Sequence, residues 1–186
     1  VKPRDIPNLI TGLRILLVIP MMLLLARGEY LAVLGLFAVA GLSDGIDGYL
    51  ARRYDWRTPL GALLDPLADK LMLVGLYLAL GWGGMLPWWL VGLVVLRDVV
   101  IVTGALAYRR YCGDLTMEPS LTSKVNTLFQ ILLGLAAIAA AHSELMPTWG
   151  LNGLVGVVVL TTLWSGTDYV WRWGRRARRC RKREGV

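Results

Sequence analysis

Histidine is almost missing from this sequence: His142 is the only one in 186 residues, beside two cysteines and two phenylalanines. One histidine excludes a multi-histidine metal cluster. Its expected place, in a loop at the outer edge of a membrane, keeps it away from the acidic stretch described below. Cys112 and Cys180 both fall on the side expected to face the cytoplasm, where thiols stay reduced, so no disulfide is expected. The alternation of a half-buried strand is lacking, which excludes a transmembrane barrel. No period of 20 to 50 residues recurs, which excludes a solenoid. No shift in composition marks off a water-soluble domain, so residues 1–186 read as one domain ending in a basic tail, 172–186.

What the sequence has instead is apolar length. It is 56% hydrophobic, against roughly 45–50% for ordinary soluble domains. The apolar residues come in blocks of about twenty, the length that crosses ~30 Å of hydrocarbon at 1.5 Å per residue. Six such spans are read: Leu9 to Ala26, Tyr30 to Ala51, Leu60 to Leu80, Leu86 to Tyr108, Leu121 to Ala141 and Trp149 to Val170. An unpaired peptide group is costly in lipid, so each span is predicted to be a helix. The fold class is an all-α integral membrane bundle of six transmembrane helices. The first span reads as retained, since its apolar run is long and five more follow.

Positive charge orients the bundle. Sixteen Lys and Arg fall on one side of the spans and only Arg27 on the other, which predicts cytoplasmic termini. Tryptophans and tyrosines gather at both ends of the spans as an interfacial belt. The net charge of +7 does not imply nucleic acid, because eight of the cations lie from Arg172 onward, directly beside a span. Anionic lipid headgroups are the nearer partner, and the tail also serves as a topology anchor.

The chemistry is concentrated between Asp44 and Lys70. Asp44, Asp47, Asp65 and Asp69 all lie within predicted spans, where an ionised carboxylate costs at least ~2.5–3.5 kcal/mol and needs a compensating partner. On a helix Asp44 and Asp47 share a face with Gly48 and Ala51, and Gly61, Asp65 and Asp69 follow an i, i+4, i+8 row. Acids accompanied by residues with almost no side chain describe a cavity. Counted at about 1.5 Å per residue from the intervening loop, the four lie roughly 7 to 15 Å below the cytoplasmic boundary. Converging carboxylates repel unless they are protonated or bind cations, and two divalent ions balance four acids. With oxygen ligands only, Mg²⁺ is favoured, and Mn²⁺ or Ca²⁺ are alternatives. A two-metal carboxylate site suits phosphoryl displacement.

The run Asp44-x-x-Asp47-Gly48-x-x-Ala51-Arg52, eight residues, then Gly61-x-x-x-Asp65-x-x-x-Asp69 resembles the signature of the CDP-alcohol phosphatidyltransferases at every fixed position and gap. The resemblance implies a homodimer of six-helix subunits and an enzyme that moves the phosphatidyl group of CDP-diacylglycerol to an alcohol, releasing CMP. It implies that Asp44, Asp47, Asp65 and Asp69 bind the metals and that Asp69 takes the proton from the acceptor hydroxyl. Gly48, Ala51, Arg52 and Gly61 would line the nucleotide pocket. Asn8, Thr11 and Arg14 match an N-T-R pattern of the family and would face the nucleotide or the metal ligands; the alternative is helix capping by Asn8 and snorkelling by Arg14.

Arg97 and Asp98 lie too deep in the fourth span to snorkel, and form either a functional pair or a neutralising one. Arg97 and Lys124 would supply positive charge to the acceptor, Lys124 otherwise serving as a topology charge. The Arg-Asp dipeptide and the run Ser123-Lys124-Val125-Asn126-Thr127 look like the cardiolipin synthase branch. The phosphatidylglycerophosphate synthase branch more often shows Gly for Ser123 and Lys for Asn126. Phosphatidylglycerol is therefore the expected acceptor, with glycerol 3-phosphate the alternative, and a bacterial inner membrane the expected location. A divalent-cation transporter would also use intramembrane aspartates, but the outer halves of these spans are nearly free of charge. A lipid-anchored scaffold explains none of the aspartates.

Overall fold

The computed structural model describes residues 6–54, 59–112, 121–142 and 147–184; within these, the side chains of 6–8, 44–52, 59–66, 105–112, 173–174 and 176–184 lie outside the description. All regular structure among the described residues is helical: α1 (Ile6–Ala26), α2 (Tyr30–Arg53), α3 (Pro59–Trp82), α4 (Trp88–Cys112), α5 (Leu121–His142) and α6 (Thr148–Glu184). The all-α class expected from the apolar runs is what forms, with most boundaries within a few residues of those expected. Two places differ. His142 is not a loop residue but closes α5, its ring edge-on to Tyr30 with centroids 6.5 Å apart. Helix α6 does not stop at the end of its apolar run but continues through the basic segment to Glu184. Arg and Ala favour helix, and the membrane-length helix before them has already met the cost of nucleation.

Three described stretches are long and apolar enough to cross a membrane: Leu9–Ala26, Leu121–His142 and Thr148–Arg172; the apolar stretch Tyr30–Ser43 of α2 is shorter. The distribution of polarity agrees with a multi-pass membrane protein. Thr11, Arg14, Arg97, Asp98, Asn126, Gln130, Thr162 and Ser165 are buried, while Leu9, Leu13, Leu16, Ile19 and Leu23 of α1 are all more than half exposed. In water that arrangement would leave a large apolar patch uncovered. In lipid it is the favourable one, because hydrocarbon solvates the leucines and the polar groups find partners inside.

The turns after α1 and α3 have one explanation. Gly28 and Gly84 take φ of 74° and 71°, a left-handed conformation that costs glycine little. The amides of Gly28 and Glu29 bond back to the carbonyls of Leu25 and Leu24, and those of Gly84 and Met85 to Gly81 and Leu80. Both are Schellman closures, which satisfy the last carbonyls of a helix and turn the chain sharply.

The chain forms two compact units, residues 1–87 with 134–147, and residues 88–133 with 148–186. In the first, α1 packs against both α2 and α3. Its buried stripe runs Thr11, Arg14, Met21, Leu25; Val18 and Met21 approach α3 at Gly75, while Leu76 and Leu80 of α3 lie against Gly134 of α5. Gly75 sets the approach of the two helices: a Cβ there would collide with Val18 Cγ1. The end of α5 comes as close, since a Cβ on Gly134 would lie 2.8 Å from Leu76 Cδ2. In the second unit α4 packs along α6, and the first half of α5 joins them through polar contacts.

Candidate active site

In the first unit α1 delivers a cation to α3. Arg14 is 2% exposed, and its Nη1 donates to Asp69 Oδ1 at 2.7 Å. Thr11, one turn earlier on the same face, is fully buried. Such depth excludes snorkelling: Arg14 turns inward to a carboxylate. The Asp69 side chain remains 53% exposed, so the carboxylate is held by Arg14 and still opens to its surroundings. The small Gly75, six residues along α3, is what allows α1 to lie close enough for this contact.

Asp65 lies one helical turn before Asp69 on α3, with Gly61 one turn earlier still. Asp44, Asp47, Gly48, Ala51 and Arg52 occupy the last three turns of α2, and Asn8 the first turn of α1. The side chains of these eight residues lie outside the described set, so the coming together of the four aspartates is not among the contacts described. Among the described residues no group of three or more His, Cys, Asp or Glu forms a metal cluster.

In the second unit the polar residues of α4, α5 and α6 meet in one buried seam. Arg97 Nη1 donates to Asp98 Oδ1 at 2.6 Å, and its Nη2 donates to Ser123 Oγ at 2.8 Å and to Ser165 Oγ. Arg97 and Asp98 are each 5% exposed. Next along α5, Asn126 accepts through Oδ1 from Thr161 and Thr162 of α6, both at 2.9 Å. At the end of the seam Thr122 donates to Asp168 Oδ2 at 2.9 Å, and Arg172 Nε donates to Asp168 Oδ1 at 2.7 Å. Lys124 points away from this seam and is exposed.

Sequence reasoning did not single out Thr161, Thr162, Ser165 or Asp168. A signal was available, because they recur at three and four residues in an otherwise apolar run and so share the face that meets Thr122, Ser123 and Asn126 of α5. Ser123 and Asn126 were weighed only as markers of the branch, Ser123 against a glycine and Asn126 against a lysine. Their structural part is to tie α5 to Arg97 and to α6.

The profile of the CDP-alcohol phosphatidyltransferases matches residues 4–164. The chain belongs to the CDP-alcohol phosphatidyltransferase family. It is 32% identical over 192 residues to the human protein named cardiolipin synthase (CMP-forming), across 94% of this chain and 63% of that protein. It is 34% identical over 173 residues to the Pseudomonas fluorescens protein named CDP-diacylglycerol–glycerol-3-phosphate 3-phosphatidyltransferase, across 89% of this chain and 88% of that one. The rat cardiolipin synthase (CMP-forming) is similar at 32%, again over 63% of its length. The chain thus spans less than two thirds of the mammalian relatives it matches.

For a CDP-alcohol phosphatidyltransferase the donor chemistry fits a divalent metal. Asp69 offers a carboxylate only half covered by protein, and α2 and α3, which carry the other three aspartates, pack on the same helix α1. Carboxylate oxygens without histidine or thiolate are the ligands of hard cations.

Proposed function

We propose that this phosphatidyltransferase moves the phosphatidyl group of CDP-diacylglycerol to phosphatidylglycerol, giving cardiolipin and CMP. Family membership supports the donor and the reaction class. The acceptor reading is carried by one observation: position 126, where the glycerol-phosphate-using branch more often has lysine, holds a buried asparagine spent on Thr161 and Thr162. The donors on both Nη atoms of Arg97 are likewise engaged, with Asp98, Ser123 and Ser165. That leaves the exposed Lys124 as the freer cation of the pair proposed for the acceptor, Arg97 and Lys124. An acceptor with a singly charged phosphodiester suits such a site better than a doubly charged phosphomonoester.

In this reading Asp44, Asp47, Asp65 and Asp69 hold two divalent ions, Mg²⁺ or else Mn²⁺ or Ca²⁺. When bound, such a pair stabilises negative charge on the pyrophosphate and on the attacking and leaving oxygens. Asn8, Thr11, Gly48, Ala51, Arg52 and Gly61 form the pocket for the cytidine diphosphate group, with Arg52 meeting phosphate charge. Arg14 holds the Asp69 carboxylate in place, and that carboxylate receives the proton of the acceptor hydroxyl. That hydroxyl oxygen bonds to the phosphorus bearing the diacylglycerol, the bond from that phosphorus to the CMP oxygen breaks, and CMP leaves with the electron pair. The working unit is one domain, 1–186, with six spans, acting as a homodimer in a bacterial inner membrane. Both termini and the site face the cytoplasm, and segment 172–186 lies against anionic lipid.

A second reading, glycerol 3-phosphate as the acceptor, is favoured by the Pseudomonas relative, most of whose length is matched. A mass-spectrometric product assay separates the two. Purified protein with CDP-diacylglycerol should yield cardiolipin when given phosphatidylglycerol and no phosphatidylglycerophosphate when given glycerol 3-phosphate. The reverse pattern would assign it to the other branch. Divalent-cation flux into proteoliposomes lacking any CDP-lipid would point to a transporter instead.

A further inference from the structure

We infer that the outer face of α6, with the start of α5, binds one anionic phospholipid, its chain along Leu160, Leu163 and Trp164 and its phosphate at Arg172 and Arg175. The inference deepens the lipid contact proposed for the basic segment, and it rests on the reading that α6 crosses the membrane.

Two adjoining hollows make the chain site. One, of about 330 Å³, opens between α5 and α6 at Leu121, Val125, Leu160 and Trp164. The other continues from Leu160 and Trp164 along α6 to Trp171. Leu160 and Trp164 are each 70% exposed, and Leu163 is 50% exposed. From Leu160 to Trp171 is about 17 Å at 1.5 Å per residue, close to half of the ~30 Å hydrocarbon core. The hollow therefore has the depth of one leaflet. It ends where the apolar stretch ends, at Arg172.

Two arginines are held ready at that end. Arg172 donates Nε to Asp168 Oδ1 while its side chain stays 55% exposed. The Arg175 guanidinium stacks on the Trp171 ring, 3.6 Å from its centroid. A stacked guanidinium keeps its edge donors for an oxyanion and loses little freedom when it binds one. Asp168 is the acidic group beside this site; its oxygens are occupied by Thr122 and Arg172, so it braces an arginine rather than attracting a cation. Among the described side chains two arginines against one aspartate leave this end positive, and the sequence adds Arg176, Arg178 and Arg179 just beyond, which suits an anionic phosphodiester. A zwitterionic headgroup would bring its own cation to the same place. A second copy of the chain fits less well, because helix pairs in membranes meet through small residues, and this face presents leucine and tryptophan.

The test is native mass spectrometry of the full chain in detergent, with phosphatidylinositol, a singly charged phosphodiester that is not the acceptor proposed above, or phosphatidylcholine of identical acyl chains added. Wild type should retain one phosphatidylinositol in preference to phosphatidylcholine. Arg172→Gln with Arg175→Gln should lose that preference by about tenfold, the worth of one charge-assisted hydrogen bond. Trp171→Leu, which keeps both charges but removes the stacking, should lose part of it. Only variants that melt at the wild-type temperature are compared. Equal retention of the two lipids by wild type, or an undiminished preference in the double glutamine variant, overturns the inference. So does a change of oligomeric state in that variant, which would make the face a protein interface. CMP release by the same wild-type preparation is followed alongside, so a protein that turns over but shows no lipid preference refutes this site and leaves the enzymatic reading intact.

Discussion

Exchanging Arg14 for methionine, which keeps most of its volume and loses its charge, should destabilise the protein less than Asp69→Asn does. The pair is 2.7 Å long and unequally buried, with side chains 2% and 53% exposed. Exposed ion pairs are worth about 0.2–1 kcal/mol, whereas breaking a buried pair by removing one partner costs about 3–5 kcal/mol. A contact with one end in each environment falls between these, at roughly 2 kcal/mol. The asymmetry sets the order. Arg14→Met leaves a half-exposed carboxylate that its surroundings can still solvate. Asp69→Asn leaves the buried guanidinium facing a neutral amide in place of that carboxylate, the costlier state. The double variant should recover about 1–2 kcal/mol relative to the sum of the singles, as directly bonded groups do. Unfolding in mixed micelles, followed by circular dichroism with a chelator present so that cation binding contributes nothing, measures all four corners of the cycle. Strictly additive singles, or Arg14→Met as the more damaging change, would refute the view that Arg14 is held in place by Asp69.

Three other substitutions test the packing. Gly75→Ala should cost about 1–3 kcal/mol, since the new methyl meets the stiff, branched Val18; adding Val18→Ala should restore much of the loss in the same unfolding assay. Asn126→Leu should cost about 1 kcal/mol, the scale of an interhelical hydrogen bond in a membrane, because Thr161 also bonds the carbonyl of Val157 within its own helix. Arg97→Met should be severe, about 3–5 kcal/mol, because it removes the guanidinium paired with the buried Asp98 carboxylate; Arg97→Met combined with Asp98→Leu should melt closer to wild type than Arg97→Met alone.

Much of the helical layout could be read from the sequence, because in lipid a run of about twenty apolar residues has few alternatives to a helix. The four aspartates stood out for the same reason, since acids are rare at that depth and their spacing is specific. Less legible was anything that depended on which helices meet. Arg14 carried two readings, inward or snorkelling, and only the approach of α1 to α3 across Gly75 decides between them. His142 was taken for a loop residue because the predicted span ends at Ala141, yet it extends α5 by a residue and its ring packs on Tyr30. The run from Arg172 reads as a charged tail by composition, while helix propensity carries α6 on through it. The seam of Asn126, Thr162 and Ser165 was written in the sequence as polar residues at helical spacing, but their partners lie on other helices, and no local pattern names them.

The central claim is that this chain is a phosphatidyltransferase whose chemistry depends on its aspartates and on divalent metal. CMP release from CDP-diacylglycerol by purified protein, measured with Mg²⁺ or with chelator for wild type and for folded Asp69→Asn, tests it directly. The account predicts release by wild type only when metal is present, and a loss of at least about 10²-fold in Asp69→Asn, the scale of a missing general base. Metal-independent release, or an Asp69→Asn variant as active as wild type, would contradict it.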